Sequence, residues 1–231
     1  MYHILIIEDD TDIRSELKLM LENALYQADG IEDFSHIPAQ IDKLSPDLIL
    51  LDIQLPGIDG LSLCREIRRT KNTPVIFVTS RSSSMDELNG IMMGGDDYIT
   101  KPFNPMELLA RVHSNLRRYT SYAPLATHTS KHLLTLGDIT LNDEAKEVYV
   151  DDKLIKLTPI EYGILHLLMQ HPGRVFSIEE IYGFVWNEPA YSPDTVTVHI
   201  RHIREKIEIN PKEPKYLKVV WGIGYKFEQQ N

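Results

Sequence analysis

The sequence predicts a doubly wound α/β unit on a parallel sheet, followed by a smaller α+β unit. Three observations carry this. Short, mostly apolar runs recur in the first half at Ile4–Ile7, Leu48–Leu51, Val75–Val78 and Tyr98–Thr100. Runs of that kind read as strands buried on both faces, as in a parallel sheet. Amphipathic helical stretches separate them, a βαβ rhythm that favours right-handed crossovers. Beyond residue 134 the pattern turns to short β-segments, three helices and a glycine-interrupted hairpin.

Taken in order, a helix is expected from about Asp12 to Leu25, with Ile13, Leu17, Met20 and Leu21 on one face. Pro46 precedes the third strand, Pro56-Gly57 marks a loop, and Asp59-Gly60 starts the next helix. Pro74 opens the fourth strand. Pro102 and Pro105 bracket the entry to a helix that should end near Arg117-Arg118. Residues 119–133 show neither period and read as a linker between units at 1–118 and 134–229. Strands are then expected at Leu136–Leu141, Glu147–Val150 and Lys153–Leu157, with Asp151-Asp152 as a hairpin turn. Thr158-Pro159-Ile160-Glu161 and Ser177-Ile178-Glu179-Glu180 are capping-box starts. A third helix begins near Ser192-Pro193-Asp194, and Leu217–Phe227 closes the chain as a hairpin around Gly222 and Gly224.

Composition narrows the function classes. The single cysteine, Cys64, excludes an intramolecular disulfide and fits a reducing cytosol. No segment approaches the roughly 18 apolar residues of a membrane span, and a strand starts at once without a basic leader. The net charge of −10 argues against general coating of nucleic acid. Yet residues 195–226 carry seven bases against three acids, a local footprint for DNA.

The polar residues just past the apolar runs are the candidate site. Glu8 and Asp9 follow the first run, Asp52 the second, Thr79 the third, and Lys101 the fourth. In an open α/β sheet the ligand crevice lies beyond the carboxyl ends of the strands, so these groups should meet. Three acids could hold a hard divalent cation, and the lysine and hydroxyl could bind phosphoryl oxygens. In the second unit, Val196, Ile200, Ile203 and Ile207 form one stripe of the third helix, which must be buried. Asp194, Thr197, Val198, Arg201, His202 and Glu205 lie opposite, with Arg204 and Lys206 on the flanks. That face offers donors for guanine edges and apolar atoms for thymine methyls.

Five blocks in order resemble a response-regulator receiver domain over residues 1–118: Glu8-Asp9, Leu50-Leu51-Asp52, Pro56–Gly60, Val78-Thr79-Ser80-Arg81 and Asp96–Phe103. The resemblance implies a five-stranded, flavodoxin-like fold in which Asp52 accepts a phosphoryl group from a sensor histidine kinase. It implies Mg²⁺ held by Glu8, Asp9, Asp52 and the backbone carbonyl of Gln54. Lys101 would pair with the phosphoryl group, and Lys101-Pro102 matches a cis-peptide position. Thr79 would hydrogen-bond the phosphoryl group and pass the signal to Tyr98, burying its ring. Such a protein is not a dedicated enzyme. A phosphohydrolase of the aspartyl-phosphate type would need a second acid where this chain has Gln54. A phosphorylation-independent DNA-binding regulator with a vestigial receiver fits poorly with intact Asp9, Asp52, Thr79 and Lys101.

Residues 134–229 resemble the winged-helix effector domain of OmpR/PhoB-type regulators. Leu157–Tyr162, Val185-Trp186, Thr195–Lys206 and Val220–Tyr225 carry the resemblance. It implies a cytoplasmic transcription regulator whose helix from Asp194 enters the major groove of direct-repeat promoter DNA. The hairpin would be a wing on the adjacent minor groove. Trp186, Arg204 and Tyr225 match positions that commonly touch the phosphate backbone, and Lys218 is expected to add a sequence-independent contact. RNA polymerase is a further partner. Ile31–Phe34 and Asp52–Pro56 look like regulators of Gram-positive cell-envelope and antimicrobial-peptide responses, and the tail like glycopeptide-response regulators. In the family's dimer face, Asp97 and Arg111 match one intermolecular pair. Glu107 also matches, but Glu87 stands where its basic partner is customary, and like charges repel. A weak homodimer is expected when phosphorylated, completed on DNA.

Overall fold

In a computed structural model the chain divides into two compact units, Met1–Tyr119 and Thr120–Asn231. The structure describes residues 1–81, 83–121, 133–186 and 194–228.

The first unit runs β1 (His3–Ile7), α1 (Thr11–Asn23), β2 (Gln27–Gly30), α2 (Ile37–Leu44) and β3 (Leu48–Leu51). A short antiparallel pair follows, β4 (Gln54–Leu55) and β5 (Ile58–Asp59), then α3 (Gly60–Arg68) and β6 (Val75–Thr79). It ends with α4 (Ser84–Met92), β7 (Asp97–Thr100) and α5 (Pro105–Ser121). The five main strands form one parallel sheet, ordered β2-β1-β3-β6-β7.

Alternate side chains of each strand serve opposite faces. Leu5, Ile7, Ile49, Leu51 and Phe77 pack with Ile37, Ile41, Leu63 and Ile67 of α2 and α3. Ile4, Ile6, Leu50, Ile76 and Val78 pack with Leu17, Leu21, Leu108 and Val112 of α1 and α5. Both faces are buried, which is why these strands read as continuous apolar runs. Cys64 belongs to the first of these cores, and burial pushes its thiol up to about 12. The strand order reverses at β1, between β2 and β3, so the crevice opens at the ends of β1 and β3.

Two boundaries differ from expectation. Helix α1 starts at Thr11, because the Asp10 carboxylate accepts from the Asp12 and Ile13 N–H groups, and it stops at Asn23. Helix α5 runs to Ser121, past the expected end near Arg118. Most of the expected linker, 122–132, lies outside the described residues.

The second unit opens with β8 (Leu133–Leu136), β9 (Ile139–Asn142), β10 (Glu147–Val150) and β11 (Lys153–Ile155), an antiparallel meander. The single strand expected at Leu136–Leu141 is thus a hairpin corner, turned at Gly137, where φ is +63°. The Asp151-Asp152 turn stands, with φ of 49° and 62° as a tight hairpin requires. Three helices follow: α6 (Pro159–Gln170), α7 (Ile178–Trp186) and α8 (Asp194–Ile207). Both capping boxes form: Thr158 with Glu161, and Ser177 with Glu180. Each is worth about 1 kcal/mol. The chain then turns into a two-stranded hairpin, β12 (Leu217–Val220) and β13 (Gly224–Phe227).

Val196, Ile200, Ile203 and Ile207 are buried as the stripe requires, among Ile160, Leu165, Ile181 and Phe227. Each contributes roughly 1.5–3 kcal/mol. Helix α8 is further fixed to α6 by charge. The buried Glu161 carboxylate receives Lys206 Nζ at 2.6 Å and lies 3.9 Å from His202 Nδ1. Desolvation lowers the pKa of His202, and Glu161 only partly opposes it. His166 is lowered by burial too, against the attraction of Asp143.

Two predictions follow from the packing. A Cβ on Gly60 would lie 2.2 Å from the Asp52 carbonyl oxygen and 2.7 Å from Ile53 Cα. Gly60→Ala should therefore destabilise the first unit by about 2 kcal/mol, the middle of the range for overpacking, in urea unfolding. For the histidines the folded state favours the neutral ring. Their stability contribution is complete above the unfolded pKa of about 6.5 and is lost as pH falls through it towards the lower folded pKa. Thermal melts of the second unit should drop on acidification from pH 7, and His202→Gln should flatten that drop.

Candidate phosphoacceptor site and nucleic-acid interface

The strand ends of the first unit bring four of the expected groups together. Lys101 Nζ lies 2.6 Å from both Glu8 Oε2 and Asp52 Oδ2. Asp52 Oδ1 accepts from the Gln54 N–H at 3.1 Å. Glu8, Asp9 and Asp52 each offer a carboxylate oxygen, all within 4.8 Å of one another. Glu8 and Asp52 are buried, whereas Asp9 faces solvent. Burial raises the pKa of Glu8 against the pull of Lys101. Desolvation acts to lower Lys101, but hydrogen bonds to Asp52 and Glu8 outweigh it and leave it raised. A cluster of hard oxygens with one exposed member fits a divalent cation that keeps part of its water.

Position follows from the backbone. The Lys101–Pro102 peptide is cis, and the Lys101 N–H donates to the Thr79 carbonyl at 2.8 Å. Thr79 is fully buried, and its Oγ1 accepts from the Arg81 N–H at 3.4 Å. The Tyr98 ring is buried, and its hydroxyl donates to the Arg81 carbonyl at 2.8 Å. Phe77 packs at 6.2 Å between ring centroids, and Gly90 leaves the space the tyrosine ring uses.

Residues of the expected dimer face pair within the chain. Arg111 is buried and donates to Asp97 Oδ1 at 2.6 Å and to Glu107 Oε1 at 3.1 Å. Asn115 donates to Asp97 Oδ2 at 3.2 Å. Asp97 and Arg111, the two residues expected to pair between molecules, contact each other within the single chain. The Glu87 side chain lies outside the described residues.

On α8, Asp194, Thr197, Arg201 and Glu205 are exposed and Val198 is half-buried. Arg201 Nε pairs with Glu205 at 2.9 Å on the surface. Four expected contact residues are engaged within the unit. His202 leans on Glu161. Trp186 is buried, stacked on Tyr182 at 4.5 Å. Arg204 directs Nε and Nη2 to the Leu217 carbonyl at 2.9 and 2.7 Å. Tyr225 is buried except at its edge, and its hydroxyl donates to Thr197 Oγ1 at 3.3 Å. Lys218 is half-buried on β12.

Sequence reasoning missed Glu208. Its carboxylate accepts the Lys215, Tyr216 and Leu217 N–H groups at 2.7–2.9 Å, joining the end of α8 to the start of the hairpin. The available signal was an acid directly after the last apolar stripe residue, Ile207, in a basic segment.

Comparison with known proteins agrees with this geometry. Residues 4–113 match the response regulator receiver domain, and residues 152–227 match the C-terminal domain of transcriptional regulatory proteins. An uncharacterized transcriptional regulatory protein of Bacillus subtilis, YrkP, is 43% identical over 228 residues, covering 98% of each chain. Regulatory protein VanR of Enterococcus faecium is 39% identical over the same length and coverage. Among solved structures, a RitR mutant aligns over all of both chains at 26% identity with a TM-score of 0.78. DrrB of Thermotoga maritima, an OmpR/PhoB homolog, aligns over 99% of both chains at 33% identity with a TM-score of 0.50. The parallel receiver sheet, the winged helix and full-length relatives at this identity place the chain in one family: it belongs to the OmpR/PhoB-type two-component response regulators, which act as transcription factors.

Proposed function

We propose that Asp52 is the phosphoacceptor, that a sensor histidine kinase supplies the phosphoryl group, and that the modified protein regulates promoters through residues 134–229. The convergence of Glu8, Asp9, Asp52 and Lys101 at the reversal point of the sheet carries this reading. An Asp52 oxygen bonds to phosphorus as the donor's bond to phosphorus breaks. Lys101, already beside Asp52 Oδ2, is in reach of the negative oxygens that result. Glu8, Asp9, Asp52 and the Gln54 carbonyl are the residues that would hold Mg²⁺. Bound there, it neutralises charge on the phosphoryl oxygens. Thr79 and Tyr98 both touch the Arg81 backbone, so a shift of Thr79 towards a phosphoryl group is felt at Tyr98.

The effector unit, taken as 134–229 after a linker at 119–133, reads DNA with the exposed face of α8. Asp194, Thr197, Val198 and Arg201 are the base-facing candidates, and Lys218 the phosphate contact. Arg204 and Tyr225 act mainly by holding the wing against α8. The chain works in the cytoplasm and pairs weakly in solution. Two adjacent half-sites then raise the effective concentration of one copy for the other.

Acetyl phosphate with Mg²⁺ should add one phosphoryl group, read by intact-mass spectrometry, and Asp52→Ala should take up none. Equal labelling of the variant would move the acceptor elsewhere. Promoter binding should fall steeply with salt, since lysines and arginines displace counterions. Arg201→Ala should cost roughly 1–3 kcal/mol and relax sequence choice, while Lys218→Ala should weaken all duplexes alike and lower the salt slope by about 1. Titrations of wild type and both variants at several salt concentrations separate the two roles.

A further inference from the structure

The wing ends in an apolar tip. Trp221 is 88% exposed between β12 and β13, with Ile223 at 61% and Val219 at 38% beside it. The segment Val219–Tyr225 carries no charge, although Lys212, Lys215, Lys218 and Lys226 flank it. The tip is continuous with the exposed face of α8, because Tyr225 bonds to Thr197 and Arg204 and Glu208 hold the base of the hairpin. A large aromatic held in water at the edge of a DNA-facing surface calls for a partner. An uncharged tip gains little from phosphates, whose attraction is for lysine and arginine. A groove floor differs: apolar side chains wedge there against sugars and base steps. The indole also has one polar group, the Nε1–H, which only donates. In the minor groove an A·T pair presents only acceptors, whereas G·C adds the guanine amino donor.

We propose that Trp221 enters the minor groove beside each recognition-helix half-site and selects A·T pairs there. Its Nε1–H donates to adenine N3 or thymine O2, and Ile223 packs on the neighbouring sugar. The guanine amino group would oppose the indole donor. This rests on the DNA-binding reading of residues 134–229, and adds to it a second, wing-borne element of sequence choice.

The test uses the full chain and short duplexes that it enriches from a random-sequence pool. Trp186 is buried, so the difference between wild type and Trp221→Phe isolates the Trp221 emission. On binding, that emission should shift to the blue and lose its quenching by acrylamide. Replacing A·T pairs beside a half-site by G·C should weaken wild type about tenfold, the usual cost of one spoiled base pair. Inosine·C pairs, which lack the amino group, should restore binding. Trp221→Ala should lose both the affinity and the A·T preference while keeping the wild-type salt slope. Trp221→Phe should retain part of the affinity but not the preference. Unchanged quenching on a bound duplex overturns the proposal, as does a G·C penalty that persists in Trp221→Ala. An emission change confined to duplexes with two half-sites also overturns it, by assigning Trp221 to a contact between two copies. If wild type enriches no duplex, the DNA-binding reading fails, and the proposal with it.

Discussion

Lys101 lets two carboxylates share the floor of one crevice. Its ammonium lies 2.6 Å from an oxygen of Glu8 and of Asp52, and both acids are buried. Burial disfavours the charged form of an acid and raises the Glu8 pKa, and the Asp52 charge adds a smaller push in the same direction. The ammonium counters it from just past the end of β7, three strands along from β1 with β3 and β6 between. The sheet must therefore be closed and in register for the ammonium to reach both carboxylates. The buried apolar runs on both faces supply that rigidity, and the backbone link from Lys101 to Thr79 transmits it to the last strand.

The same unit shows how magnitudes limit its second surface. The Asp97–Arg111 pair is buried, and removing one member of such a pair typically costs about 3–5 kcal/mol. An exposed ion pair between two molecules returns only about 0–1 kcal/mol. Association that opened the internal pair to make an external one would be unfavourable. The same surface also carries apolar groups, Met92 and Met106, that are exposed in the single chain.

Much of this was legible from the chain because the signals were local. Parallel strands announce themselves as unbroken apolar runs, and Thr158-Pro159-Ile160-Glu161 states a helix start in four residues. The acid cluster was legible because strand ends meet in such sheets. What failed needed knowledge of neighbours. A helical wheel gives the angle of His202 and Arg204 but not where long side chains end, and Glu161 and the Leu217 carbonyl claimed them. The Leu136–Leu141 segment hid its turn because only Gly137-Asp138 separates two runs of β-forming residues. The resemblance set Trp186 on the phosphate backbone, but the Tyr182 ring covers it.

The hairpin that follows α8 is only two strands wide, and such ribbons are marginal alone in water. It persists because Glu208 grips three of its leading amides, Arg204 holds the Leu217 carbonyl, and Phe176 pairs with Tyr225 in both directions. Of those anchors, Arg204 sits on the last turn of α8 and Glu208 directly follows it. Helix and ribbon consequently form a single cooperative opening unit rather than two. Their amides would share one free energy of exposure, and whatever orders the helix on a ligand orders the ribbon without further conformational loss.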